Sequence, residues 1–181
     1  MATFLKILIF AALGIILCQV LLFGTRARIN PLGKPPIPQP AFFLAKLCMC
    51  VSIFLLGLEA AIGNPQLSIF ATLSFVSLLL GGTFLFTHGF AGLGKNLRVG
   101  LPDEETMLVT SGAYRWSRNP LYVSLFCLFG ASVIYAFSWL NLSAAALGVF
   151  LHHRIVLAEE KFLRVRFKEF EAYARKVRRY L

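Results

Sequence analysis

Charge in this chain is confined to short intervals, and the long blocks between them carry almost none. A membrane span needs roughly 20 predominantly apolar residues, with about 17–25 tolerated. Block one runs from about Thr3 to Phe23, block two from Ala41 to Ile62 and block three from Leu67 to about Thr87. Blocks four and five, Leu121–Phe137 and Trp139 to about Leu157, are individually short. The tight link Phe137-Ser138-Trp139-Leu140-Asn141 makes them a helical hairpin. Composition agrees: 58% of the 181 residues are hydrophobic and only 14% are charged, where a soluble domain carries about 25% charged residues. The expected fold is an all-α integral membrane protein with five transmembrane helices. One domain over 1–181 is expected, with N-terminal helices and a proline-rich loop over 1–80 and the chemistry-bearing region over 81–181. Block one is expected to span, since its apolar stretch is too long for a signal peptide and no small-residue cleavage pattern follows it.

Basic residues set the orientation. Arg26, Arg28 and Lys34 lie in the first connection, and Lys95, Arg98, Arg115 and Arg118 in the one after block three. Nine more follow His152, while the links near Asn64 and Ser138 hold none. With five spans all three basic segments fall on one side, cytoplasmic by the positive-inside rule, and the N-terminus falls outside. Lys6 and Lys46 can snorkel from helix ends. The net charge of +10 is then accounted for by an anionic leaflet, and no nucleic-acid partner is expected. Membrane lipids are. Cys18, Cys48, Cys50 and Cys127 have neither metal-ligand nor redox spacing, so neither metal nor disulfide is expected.

Three segments need a reading of their own. Asn30–Pro40 is proline-dense and extended, a linker more than a substrate-contacting flap. Glu59, within a turn of the outer end of block two, reads as solvated at the interface. After Leu157, the residues Leu163, Phe167, Phe170, Ala174, Val177 and Leu181 recur at helical spacing, and Glu160–Arg164 and Glu171–Arg175 are favourable i,i+4 pairs. That pattern predicts a C-terminal amphipathic cytoplasmic helix, either lying on the membrane or folded over the mouth of the bundle.

The densest polar cluster is Gly112-Ala113-Tyr114-Arg115-Trp116-Ser117-Arg118-Asn119-Pro120-Leu121-Tyr122, and its counterpart across the hairpin is His152-His153-Arg154 with Glu159-Glu160. Glycines 81 and 82 permit close helix packing. Those at 89, 92, 94 and 100 match neither dinucleotide nor P-loop spacing. The acidic run Asp103-Glu104-Glu105 has no histidine at useful spacing and reads as a solvated loop.

The stretches Leu108–Tyr114 and Arg118–Tyr122, with Glu159-Glu160 followed by Phe167 and Tyr173, resemble the isoprenylcysteine carboxyl methyltransferase family. Phospholipid N-methyltransferases are similar in the same region. The likeness covers roughly residues 80 to 181, and it departs at Asn119, where the family commonly has histidine. Asparagine hydrogen-bonds but takes up no proton.

The resemblance implies S-adenosylmethionine as methyl donor. It places donor binding on Thr106, Met107, Leu108, Val109, Tyr114, Arg118, Asn119, Pro120, Leu121, Tyr122 and Glu159. The residue types suit it: aromatic faces for a sulfonium, a carboxylate for ribose hydroxyls or the ammonium, and a helix beginning at Pro120 whose N-terminus favours an anion. Catalytic roles fall to Arg154, as the cation that orients a carboxylate acceptor, and to Glu160, with His152 and His153 as further bases should the acceptor be an amine. The expected activity is methyl transfer to a lipophilic acceptor entering from the bilayer. The alternatives are a phospholipid amine N-methyltransferase and a non-catalytic membrane scaffold or lipid-binding protein.

Overall fold

The computed structural model describes residues 1–26, 34–94, 97, 100–101 and 107–181, with side chains 23–26 excepted. Six α-helices follow one another: α1 (Ala2–Arg26), α2 (Gln39–Ile62), α3 (Ile69–Leu93), α4 (Pro120–Tyr135), α5 (Trp139–Arg166) and α6 (Phe170–Lys176). A 3₁₀ turn, Gly112–Arg115, precedes α4. Among the described residues the one β-pairing is an isolated antiparallel bridge between Lys34 and Leu101.

Four helices, α1, α2, α3 and α5, are long and apolar enough to cross a membrane. Two of the five expected blocks end well beyond their sequence bounds, the third at Leu93 and the fifth at Arg166. The fourth stops at Tyr135, giving 16 residues or about 24 Å. The fifth, expected to be short, is the longest helix at 28 residues. It continues past Leu157 because Glu159 and Glu160 find buried partners instead of ending the apolar run.

The α4–α5 hairpin forms as expected. Ser138 caps α5, its Oγ accepting from the Asn141 backbone N–H at 3.1 Å. The Asn141 amide donates to the Ala136 carbonyl at 2.9 Å and to the Ser132 carbonyl at 3.1 Å, so one side chain satisfies the orphaned carbonyls that end α4. Ser132 Oγ donates to the Ser52 carbonyl of α2 at 2.7 Å. In an apolar setting a side-chain donor satisfied by a neighbouring helix ties the two together.

Small residues set the close approaches. A Cβ at Gly82 of α3 would lie 3.1 Å from Cys127 Cβ of α4, and one at Gly148 of α5 would lie 2.6 Å from the Phe129 ring. Gly81 has open space beside it, so Gly82 alone of the pair serves packing. At one end of the bundle, Leu5 and Ile9 of α1, Leu56 of α2, Phe75 and Leu79 of α3 and Tyr135 of α4 form a buried cluster. Nearer the other end, Phe42 and Ala45 of α2 pack on Leu151 and Ile155 of α5. Outward faces remain apolar, with Phe43, Phe54 and Phe70 all exposed, the reverse of a soluble protein's surface.

The C-terminal stripe does not continue as one amphipathic helix. Leu163 belongs to α5, the backbone is extended at Phe167, and α6 has only seven residues. Neither expected local pair, Glu160–Arg164 or Glu171–Arg175, is among the ion pairs of the described residues. Glu160 pairs with Arg118 and Arg179, and Arg164 with Glu171 at 3.4 Å. At the end of α6, Arg118 claims the Ala174 carbonyl of its last turn and the Val177 carbonyl just beyond it.

Candidate functional site

Three connections meet at the polar end of the bundle. The first reaches the second through the bridge, with Lys34 N–H donating to the Leu101 carbonyl at 2.9 Å and Leu101 N–H returning at 2.8 Å. The second reaches the tail through Arg118. Its Nε donates to Glu160 Oε1 at 3.1 Å and its Nη2 to Oε2 at 3.2 Å, the two-pronged geometry that a planar guanidinium favours. Its Nη1 donates to the carbonyls of Ala174 (3.0 Å) and Val177 (2.6 Å).

Its neighbours continue the strap. Ser117 Oγ donates to the Arg179 carbonyl at 3.1 Å, and Arg118 N–H to the Arg178 carbonyl at 2.9 Å. Asn119 Nδ2 donates to Glu160 Oε1 at 3.0 Å and to the Arg179 carbonyl at 3.2 Å. Arg179 itself donates to Glu160 Oε2 through Nε at 3.1 Å. Glu160, 3% exposed, therefore holds two arginines and an amide together, as a buried carboxylate must if it is to stay charged.

Behind this strap lies a cavity of about 150 Å³. Tyr114, Phe162, Phe167, Phe170 and Tyr173 supply an aromatic lining, and Glu159 a carboxylate. Gly112 makes the turn that sets Tyr114, with φ of +60°, a value that costs a residue with a Cβ. The Tyr114 ring then lies over Gly92 of α3, where a Cβ would be 3.5 Å from its carbons. Tyr173 donates its hydroxyl to the Tyr114 carbonyl at 2.6 Å. Burial raises the Tyr114 phenol far above its usual range and pushes Tyr173 up to about 12. Both stay neutral at physiological pH, as aromatic faces and hydrogen-bond donors.

Of the expected donor-site residues, Met107, Leu108, Val109, Tyr114, Arg118, Asn119 and Glu159 line this cavity, as does the expected catalytic Glu160. Tyr122 acts one step back: its hydroxyl donates to Glu159 Oε1 at 2.7 Å. Pro120 and Leu121 start α4 and sit against α3 at Gly89. Arg154 is exposed and is not among the lining residues. Thr106 lies outside the described residues, as do Lys95, Arg98 and the acidic run 103–105. His153 is hydrogen bonded to the Tyr180 hydroxyl at 2.7 Å.

Sequence reasoning missed Arg179 and Ser117, and it missed the linker's reach to Leu101, itself a lining residue. No pattern signalled these: Ser117 and Leu101 bond to backbone groups, and the Arg179 side chain reaches Glu160 from beyond the end of α6. No set of three or more metal-ligating side chains occurs among the described residues.

The cavity suits the donor that the sequence implies. One Glu159 oxygen receives Tyr122, while the other takes no hydrogen bond from a described residue, leaving an acceptor for hydroxyl or ammonium groups. The aromatic lining suits a sulfonium cation. No curated protein and no solved structure matches the chain at significance. The phospholipid methyltransferase family profile, however, matches residues 70–169, more than half of the sequence and ten residues earlier than the resemblance had suggested. The match contains every lining residue of the pocket but Phe170 and Tyr173, and the chain belongs to this family, which isoprenylcysteine carboxyl methyltransferases share.

Proposed function

We propose that the protein is an integral membrane S-adenosylmethionine-dependent methyltransferase acting on a lipophilic acceptor, with its polar end at the cytoplasmic face. The observation that carries this reading is the aromatic cavity, closed by the tail and bordered by a carboxylate with an unused oxygen. Family membership supports it.

When bound, the donor supplies an electrophilic methyl group, so the protein's work is alignment and exclusion of water. Glu159 would take the ribose hydroxyls or the ammonium, with Tyr122 fixing its orientation. Tyr114, Phe170 and Tyr173 would surround the cation with ring faces. Arg118, Asn119 and Glu160 would act by holding the tail closed, since their donors and acceptors are already engaged with one another. The acceptor would approach laterally from the bilayer.

An amine acceptor is the second reading, favoured by one observation: Arg154, the cation assigned to a carboxylate acceptor, is exposed and is not among the cavity residues.

The deciding experiment is calorimetric titration of the purified protein with S-adenosylhomocysteine. Saturable binding is expected. A folded protein that binds none would leave the scaffold or lipid-binding reading. Labelled donor supplied to membranes then separates acceptors: ester label is released by base, and N-methyl label is not.

A further inference from the structure

Beside the cavity, toward the middle of the bundle, lies a second polar cluster built by three helices. His152 and Glu159 are seven residues apart on α5, hence on one face and about 10 Å apart along the axis. Tyr122 of α4 joins them, its ring centroid 6.1 Å from that of His152 and its hydroxyl on Glu159. His152 is fully buried. Its Nδ1–H donates to the Gly148 carbonyl at 2.8 Å, which leaves Nε2 as a lone-pair acceptor with no hydrogen-bond partner.

Lys46 of α2 completes the group. It stands seven residues into α2, about 10 Å along that helix, one turn beyond Phe42, which packs with Leu151 and Ile155 of α5 and with Tyr122 of α4. Its ammonium lies 5.0 Å from the Phe42 ring centroid. Among the described residues it forms no ion pair. A half-buried cation on an apolar helix, without a paired anion, is costly and is ordinarily retained for a ligand. Snorkelling alone does not account for it, because the ring under Lys46 packs on Leu151 and Ile155, the stretch of α5 that carries the buried, unpartnered imidazole.

We infer that Lys46, with His152 behind it, forms the acceptor subsite and receives an oxyanion of the lipophilic acceptor next to the group that is methylated. This rests on the methyltransferase reading above. The oxyanion is either one oxygen of a prenylated cysteine's carboxylate, whose other oxygen takes the methyl group, or the phosphate beside a lipid amine. Both would bring the nucleophile to the bilayer side of Glu159, whose other side is the donor cavity. Lys46 is a specificity residue, and His152, buried behind it, is a positioning residue.

The test uses the full chain in phosphatidylcholine nanodiscs with labelled S-adenosylmethionine and two probes, a prenylcysteine carboxylate and phosphatidylethanolamine. The wild type is expected to label one of them, and which one identifies the source of the oxyanion. The matching molecule without that oxyanion, the prenylcysteine amide or a plain long-chain amine, should compete at least tenfold less well. Lys46→Met should raise the KM of the labelled probe at least tenfold while S-adenosylhomocysteine affinity stays within twofold. Lys46→Arg should restore KM to within about threefold.

An unchanged KM in Lys46→Met overturns the subsite, as does equal competition by the oxyanion-free molecule. A wild type that binds S-adenosylhomocysteine but labels neither probe also overturns it, leaving donor binding intact. Failure of the wild type to bind S-adenosylhomocysteine overturns the methyltransferase reading itself, and the subsite with it.

Discussion

The two sides of α5 at residues 159 and 160 carry the same side chain to different ends. Glu160 meets two guanidiniums and an amide, and its oxygens are satisfied from α4 and the tail. Glu159 meets one phenol and otherwise borders a cavity. A carboxylate whose oxygens are all engaged is a fastener, while one with an oxygen to spare can bind a ligand. Successive residues on a helix point about 100° apart, so a Glu-Glu pair can serve a structural seam and a pocket at once.

Breaking the fastener should have the larger effect. Glu160→Ala leaves Arg118, whose side chain is 9% exposed, as an uncompensated buried charge. The expected loss is about 3–5 kcal/mol of stability, read as a lowered melting temperature in detergent together with protease sensitivity of the tail. Equal stability in mutant and wild type would erase the distinction between the two carboxylates.

Glu159→Gln should do the opposite. Glutamine keeps an oxygen for Tyr122, so stability should change by less than about 1 kcal/mol. S-adenosylhomocysteine binding should weaken about tenfold, equivalent to about 1.4 kcal/mol, by calorimetry. A variant that unfolds without a selective binding defect would place Glu159 with the fastener.

The smallest effect concerns the cavity wall. Tyr173 has its folded-state pKa raised to about 12 from an ordinary 10. Its contribution is therefore fully present below about pH 10 and is lost as the pH rises through about 12. Tyr173→Phe should cost about 1 kcal/mol at neutral pH through the lost bond to Tyr114, and should flatten the alkaline loss between those values. A wild-type alkaline profile in the variant would show that the phenol contributes nothing there.

Much of this was legible in the sequence. The apolar blocks became helices, and Arg118, Asn119 and Glu159-Glu160 came together from positions some 40 residues apart because basic segments and chain reversals put them at one end. The tail was not legible. Its stripe from Leu163 to Leu181 is helical in spacing, and Glu160–Arg164 looked like a local pair. A partner 42 residues away won instead, since Arg118 offers two parallel donors in a buried setting while Arg164 stays about half exposed. Periodicity reports which face is apolar; it does not report that Ser117, Arg118 and Asn119 will claim the tail's carbonyls.

The shortness of α4 has a mechanical consequence. At about 24 Å it is roughly 6 Å shorter than a typical hydrocarbon core of about 30 Å, while its neighbours α3 and α5 exceed that thickness. In the proposed membrane enzyme, with the Ser138 turn at one surface, Pro120 and the juncture before it would lie below the opposite one. The floor of the cavity would then be recessed into the leaflet, and a lipid could present its headgroup without being lifted out. Catalytic efficiency should then vary with acyl-chain length in the surrounding bilayer, the lipid itself setting the depth at which donor and acceptor meet.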